Sequence, residues 1–296
     1  SFVATVNAIS HLGATPQFVD IENKTLAICP DKLEKRLEEI AFIKDGKTFN
    51  KISKKRIKAI LPVHVFGTPF NFESLEKIAN KWNIPIIEDA AEALGSWYKN
   101  KNTTKHCGSL GEIGILSFNG NKLITTGGGG ALLTNNEEYA RQAKHLSTTA
   151  KVPHSWEFFH DQIGWNDRMP NINAALGYAQ LEKIDQILKT KKEIFEYYCQ
   201  ILSEFSFIEI LKSPHYSTTN YWLVTIRLLI EDDEEAISVR NKILEIAHKK
   251  NIFLRPVWKA LNCLPMYSKM QKADLKEAQF QEIRLINLPS SPKLMS

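Results

Sequence analysis

The sequence predicts an α/β protein: a three-layer α/β/α domain on a mainly parallel sheet, followed by a smaller α+β domain. Three observations predict it. Strand-like and helix-like segments alternate through the first half of the chain. The strand-like segments are near-continuous apolar runs, as strands covered on both faces are. From Asn171 onward the alternation gives way to a long helical tract and then a mixed pattern. The division falls at residues 1–180 for the large domain and 181–296 for the small one. Both are expected to be incomplete. The chain opens at Ser1 already inside a strand-like pattern and stops in "LPSSPKLMS", which reads as a piece of a longer protein.

In chain order, Ala14 to Ile21 ("ATPQFVDI") reads as a strand. "PDKLEKRLEEI" is a helix: Leu33, Leu37 and Ile40 recur at helical spacing, and Pro30 suits a first turn. "IKAILPV" is a second strand. The next helix begins after Asn71, a fitting cap, and places Phe72, Leu75, Ile78 and Ala79 on one face. "IPIIED", "IGILSF" and "GALLTN" are three further strands. "NINAALGYAQLEKIDQILKTKKEIFEYYCQIL" is one long helical stretch, bent near Asp185. "NYWLVTIRLLI" is a strand, "EEAISVRNKILEIAHKK" an amphipathic helix and "IFLRPV" a last strand.

Composition narrows the class. An apolar share of 43% and a charged share of 24% are those of an ordinary globular protein, and 296 residues suffice for one large and one small core. No apolar run is long enough to cross a bilayer and no signal peptide is visible, so no membrane partner is expected. Cys29, Cys107, Cys199 and Cys263 lack the paired spacing of a zinc site or a disulfide framework, which predicts reduced thiols in a cytoplasm. The net charge of +5 is modest. The basic cluster from Lys51 to Lys58 reads as a solvated hairpin arm, and no nucleic acid is expected.

Ligand groups of an open α/β sheet gather at the carboxyl edge of its strands. Two strand ends here carry chemistry. "IPIIED" delivers Asp89, and "IGILSF" delivers Ser117 and then, in "SFNGNK", Lys122. A buried ion pair, or Asp89 capping a helix over "AAEALG", would explain two of these residues without any function. Gly127 to Gly130 permit close backbone approach, as many loops do. Together the residues suit pyridoxal 5′-phosphate. A lysine amine joins an aldehyde, a carboxylate stabilises a protonated pyridine nitrogen, and a hydroxyl receives a phosphate. Asp89, Lys122 and Ser117 meet these three needs.

"EDAAEALGSWYKNK…GSLGEIGILSFNGNKLITTGGGGALLTN" resembles the DegT/DnrJ/StrS family of sugar aminotransferases, which have the fold-type-I architecture of pyridoxal-phosphate enzymes. "SFVATVNAISHLGATPQFVDI" and "GWNDRMPNINAALGYAQLEKID" extend the resemblance over essentially the whole chain. The resemblance implies that Lys122 holds the Schiff-base position and Asp89 the one facing the pyridine nitrogen. Ser117 matches the serine that contacts the phosphate. Glu92 stands where many members carry glutamine or histidine beside the ring hydroxyl, a departure that leaves its role open. Phe2 falls where an aromatic side chain stacks on the ring. Asn166 resembles the asparagine that reaches the phosphate from a partner subunit, which implies a homodimer. A glycine–threonine loop that supplies phosphate donors in the family precedes the residues matched here.

Lysine at position 122, rather than the histidine of sugar dehydratase members, favours transamination, in which glutamate donates and a keto-sugar receives. A pyridoxamine-dependent dehydratase and a non-catalytic sugar-nucleotide-binding relative are the rival readings. The arm from Phe42, the stretch around "KVPHSWEFFHD" and the ending "RPVWKALNCLPMY" look like the branch that makes legionaminic acid and bacillosamine-type sugars. Its members aminate C4 of a nucleotide-linked 4-keto-6-deoxy-N-acetylhexosamine. For the substrate, His64 is placed near the pocket, Lys151 and His154 near the diphosphate, and Arg255 and Trp258 over the sugar. His154 and His160 are poorly spaced for a metal, and none is expected.

Overall fold

The computed structural model describes residues 1–101 and 103–295. The large domain begins with α1 (Val3–His11), α2 (Pro30–Ile40) and the hairpin of β1 (Ala41–Lys44) and β2 (Lys47–Asn50). Then follow α3 (Phe72–Lys81), β3 (Ile87–Asp89), β4 (Trp97–Lys99), β5 (Thr104–His106), β6 (Ile113–Ser117), β7 (Gly130–Leu133), α4 (Glu137–Ser147) and α5 (Asn171–Leu181). The rest of the chain carries α6 (Ile184–Leu202), β8 (Ile208–Ile210), β9 (Ser217–Thr218), β10 (Val224–Leu228), α7 (Asp233–Lys249), β11 (Arg255–Pro256), α8 (Lys276–Glu282) and β12 (Leu285–Leu288).

The sheet that positions the site has the order β3-β6-β7. β3 and β6 run parallel, with Asp89 level with Ile115. β7 returns antiparallel, pairing Ser117 with Gly130. Single bridges from Ile60 to Ile86 and from Val63 to Asp89 add a further parallel partner beside β3. α2 and α3 cover this sheet. Their buried faces, Leu33, Leu37 and Ile40 with Phe72, Leu75, Ile78 and Ala79, form one core with Ile60, Ile84, Ile86 and Tyr98. Asn71 caps α3, its side chain accepting from the Ser74 N–H at 3.2 Å.

The small domain is an antiparallel sheet, β11-β12-β10-β8. Phe195, Tyr198 and Leu202 of α6 and Val239, Ile243 and Leu244 of α7 pack on its apolar face. The two halves of the chain are joined by pairing and packing. β9 pairs with β4 of the large domain, and Phe66, Trp222 and Leu285 share a core with Trp258 between them.

Several elements depart from the sequence expectation. The opening residues, read as a strand, form α1, although Val3, Thr5 and Val6 are β-branched. Ala14 to Ile21 makes only isolated bridges, at Phe18 to Lys272 and at Ile21 to Ile28. "IKAILPV" is extended but not a continuous strand, since Pro62 has no N–H for the ladder. No helix follows Asp89; "AAEALG" is a run of turns, with the Ala91 N–H on Asp89 Oδ1 at 3.0 Å. The long helical tract breaks at Glu182 and Lys183, two residues before the expected bend. Among the described residues no helix is long and apolar enough to cross a bilayer, and no cluster of His, Cys, Asp and Glu suits a metal ion.

Candidate active site

Asp89 closes β3 at its carboxyl end. Its backbone is fixed on both sides: the Asp89 N–H donates to Pro62 O at 3.0 Å, and its carbonyl accepts from the His64 N–H at 3.0 Å. Its side chain is half-buried and accepts from Ala91 N–H at Oδ1 and from the Thr5 hydroxyl at Oδ2. Thr5 lies on α1, so the helix that replaced the expected strand presents a donor to this carboxylate.

Lys122 sits on the loop leaving β6. The Lys122 N–H donates to Asn119 O at 3.0 Å, and Thr126 N–H to Phe118 O at 2.9 Å, which folds the loop back. Gly127 and Gly129 take φ of +80° and +128°, values that a side chain would strain, and bring β7 in beside Ser117. α5 braces this turn through Gln180, whose amide binds both the N–H and the carbonyl of Thr125.

The Lys122 ammonium lies 3.8 Å from Glu92 Oε1 and 4.2 Å from the centre of the Trp222 ring. Glu92 is buried, and its other oxygen accepts the Phe66 N–H at 2.8 Å. Burial pushes the Glu92 carboxyl up to about 7, against the pull of Lys122 and the Phe66 N–H; the charge of Asp89 adds to the rise. Lys122, Glu92 and Trp222 therefore meet in one place. Its wall is aromatic: Trp258 lies 5.5 Å from Phe66, 5.6 Å from Phe2 and 6.4 Å from Trp222, centre to centre.

Ser117, at the end of β6, is half-buried, and its hydroxyl accepts from the Asn119 N–H at 3.3 Å. Phe2 caps the start of α1 and stands beside Trp258. Asn166 pairs its backbone with Thr148 on an exposed segment. Among the described residues it makes no hydrogen bond to Asp89, Ser117 or Lys122. Lys151 lays its ammonium on the Phe158 ring at 3.7 Å, and His154 Nδ1 accepts from Glu157 N–H at 3.0 Å; both belong to that same outer segment. Arg255 is exposed on β11. Trp258 alone of the four outlying candidates joins the enclosure.

His64 is a correction. Placed near the pocket by the sequence, it is fully buried, stacked on Phe70, with Nε2 on Glu88 at 2.8 Å. Burial alone would disfavour the imidazolium, but Cys107 and the Glu88 carboxylate outweigh it and raise the His64 pKa. Glu88 also accepts N–H groups from Gly108, Leu110 and Gly111 at 2.6–2.8 Å. The pair anchors β3 one residue before Asp89 and offers no atom to a solvent-borne ligand. Sequence reading missed Thr5 and Trp222. A helical register for α1 would have put Thr5 on the face of Phe2; Trp222 is visible only as an aromatic at a strand start.

The donor set suits pyridoxal phosphate. A lysine paired at 3.8 Å with a buried carboxyl, a second carboxylate at the neighbouring strand end, and a hydroxyl and a glycine turn on the lysine's own loop are the groups it calls for. Comparison with known proteins gives the same direction. The model of the DegT/DnrJ/EryC1/StrS aminotransferase family matches residues 1–296. GDP-perosamine synthase of Escherichia coli O157:H7 is 36% identical over 295 residues, covering 99% of this chain and 72% of that protein. The solved structure of Helicobacter pylori PseC, an aminotransferase involved in the biosynthesis of pseudoaminic acid, superposes with a TM-score of 0.85 at 27% identity, over 99% of this chain and 73% of PseC. The pyridoxal-phosphate form of Spr1654, a putative sugar aminotransferase of Streptococcus pneumoniae, gives 0.82 at 26% identity, over 99% and 74%.

Proposed function

The chain belongs to the DegT/DnrJ/EryC1/StrS aminotransferase family, and from that premise we propose that it transfers an amino group from glutamate to C4 of a nucleotide-linked 4-keto-6-deoxy sugar. The sugar we favour is an N-acetylhexosamine, in the making of a cell-surface sugar. The enzyme is a pyridoxal-phosphate-dependent sugar aminotransferase, as the family and its relatives are. The observation that carries the reading is the convergence of Lys122, Glu92 and Asp89 at two adjacent strand ends. The names of its relatives, a perosamine synthase and a pseudoaminic acid aminotransferase, support an amino-sugar product.

Pyridoxal phosphate, when bound, supplies an aldehyde that receives the amino group and a ring that accepts the electron pair of a broken C–H bond. The residues do the rest. Asp89, held by Thr5 and Ala91, keeps a proton at the pyridine nitrogen. Lys122 would hold the cofactor's aldehyde carbon through Nζ, and its freed Nζ would act as the base that takes the donor's α-proton and the acid that protonates C4 of the sugar, exchanging that proton with the cofactor in between. Ser117 and the neighbouring loop N–H groups receive the phosphate.

A homodimer is part of the proposal. Trp156, Phe158, Ile163, Ile172 and Tyr178 are all exposed on the segment that carries Asn166 and on α5, a contiguous stretch too apolar for solvent. Four free cysteines support a cytoplasmic location.

Two measurements test the reading. Protein mixed with pyridoxal phosphate is expected to turn yellow, and borohydride to fix the cofactor on Lys122. The same reducible adduct in Lys122→Ala would refute the nucleophile. Incubation with UDP- and GDP-linked 4-keto-6-deoxy sugars plus glutamate is expected to yield an amino sugar by mass. Turnover of non-acetylated sugars alone would refute the N-acetylhexosamine.

A further inference from the structure

We propose that Trp222 is a positioning residue that, in the cofactor-free chain, holds the Lys122 ammonium by its ring face while its indole N–H pins the loop that carries the lysine; the inference rests on the reading of Lys122 as the nucleophile. Two separate contacts join the residues across a hundred positions of sequence. The indole Nε1–H donates to Asn121 O at 2.8 Å, and the ring centre lies 4.2 Å from Lys122 Nζ. Trp222 is buried, so the second contact is shielded from water, where a cation over an indole is held most strongly.

Trp222 is itself unusually constrained. Its N–H donates to Asn220 Oδ1 at 2.8 Å, and its carbonyl accepts from the Lys191 ammonium at 3.0 Å and the Ser290 hydroxyl at 2.9 Å. Asn220 in turn donates to Glu92 O at 2.7 Å and Leu94 O at 2.8 Å. The small domain thus holds the ring, and through Asn220 holds the backbone of Glu92, the other neighbour of the ammonium. Nζ thus has two neighbours, Glu92 Oε1 at 3.8 Å and the Trp222 ring centre at 4.2 Å. Release of the amine for reaction requires leaving the ring.

The test uses the whole chain without pyridoxal phosphate, so its failure is distinguishable from failure of the aminotransferase reading. Competitive labelling with trace acetic anhydride at one pH, read by peptide mass spectrometry, gives the reactivity of Lys122 relative to the other lysines. Trp222→Leu is expected to raise that reactivity about three- to tenfold. Trp222→Phe keeps a ring face and loses only the hydrogen bond to Asn121, and its reactivity stays within about twofold of the unaltered protein, since the face carries the effect. Replacing the 6 tryptophans with fluorinated analogues keeps shape and N–H while weakening the ring's negative face. Reactivity is then expected to rise stepwise with fluorine number, which keeps the test decisive if Trp222→Leu does not fold. Lys81, 6.0 Å from the Trp82 ring and exposed, is the internal comparison that should barely move. A Lys122 reactivity indifferent to both leucine and fluorine would overturn the proposal.

Discussion

Glu92→Gln isolates the carboxyl that burial governs. Glu92 lies almost wholly inside the protein, and its pKa rises from 4.5 to about 7. Below pH 4.5 the carboxyl is protonated in both the folded and the unfolded chain, and the stability linked to it is fully present. As pH rises past 4.5 the unfolded chain ionises while the folded one keeps its proton, so stability falls. The loss continues up to about pH 7, where the folded carboxyl ionises too. A difference of 2.5 units at ~1.36 kcal/mol each gives a total of about 3 kcal/mol. Glutamine has the shape of the neutral acid and keeps an oxygen for the Phe66 N–H. Urea unfolding of both proteins from pH 4.5 to 8 should therefore show the stability of Glu92→Gln relative to wild type growing by about 3 kcal/mol, then levelling above pH 7. Groups that titrate elsewhere cancel in the difference. Parallel curves would refute the argument, and would mean that Lys122 holds Glu92 ionised in the folded state across the whole range.

Three further outcomes follow from the surroundings. Glu88→Gln leaves the buried His64 without its counter-charge and places an amide against three N–H donors; a loss of roughly 3–5 kcal/mol in denaturant unfolding is expected, as for other broken buried pairs. Gly67→Ala puts a methyl 2.0 Å from Asn220 Oδ1 at φ +87°, and is expected to lose roughly 2–5 kcal/mol and to free Trp222, seen as a red shift of its fluorescence. Asn71→Ala removes the cap of α3, far from the site; it should cost about 1 kcal/mol in the same assay and leave pyridoxal-phosphate absorbance unchanged.

The parts legible in sequence are those fixed by short-range pattern. α2, α3 and α7 follow from apolar spacing, and Asp89, Ser117 and Lys122 from polar residues directly after apolar strands. α1 was not legible, because Val3, Thr5 and Val6 favour strand locally while packing of Val6 and the reach of Thr5 to Asp89 decide for helix. His64 could not be read as an anchor, because a histidine after a strand looks the same whether it faces a pocket or a buried Glu88.

The same limit explains why the roles of Trp222 and the raised pKa of Glu92 were invisible. Each depends on segments far apart in sequence meeting in one place: Phe66, Glu92 and Lys122 from the large domain, Trp222 and Trp258 from the small one. The reactive amine is delivered by the large-domain sheet, but its neighbours are set by the seam with the small domain. Any motion that parts the seam would remove the ring from Lys122, pull Asn220 from the carbonyl of Glu92 and admit water to its carboxyl in one step. A substitution at Ser290 or Lys191, on the small-domain side, should alter Lys122 reactivity without touching it.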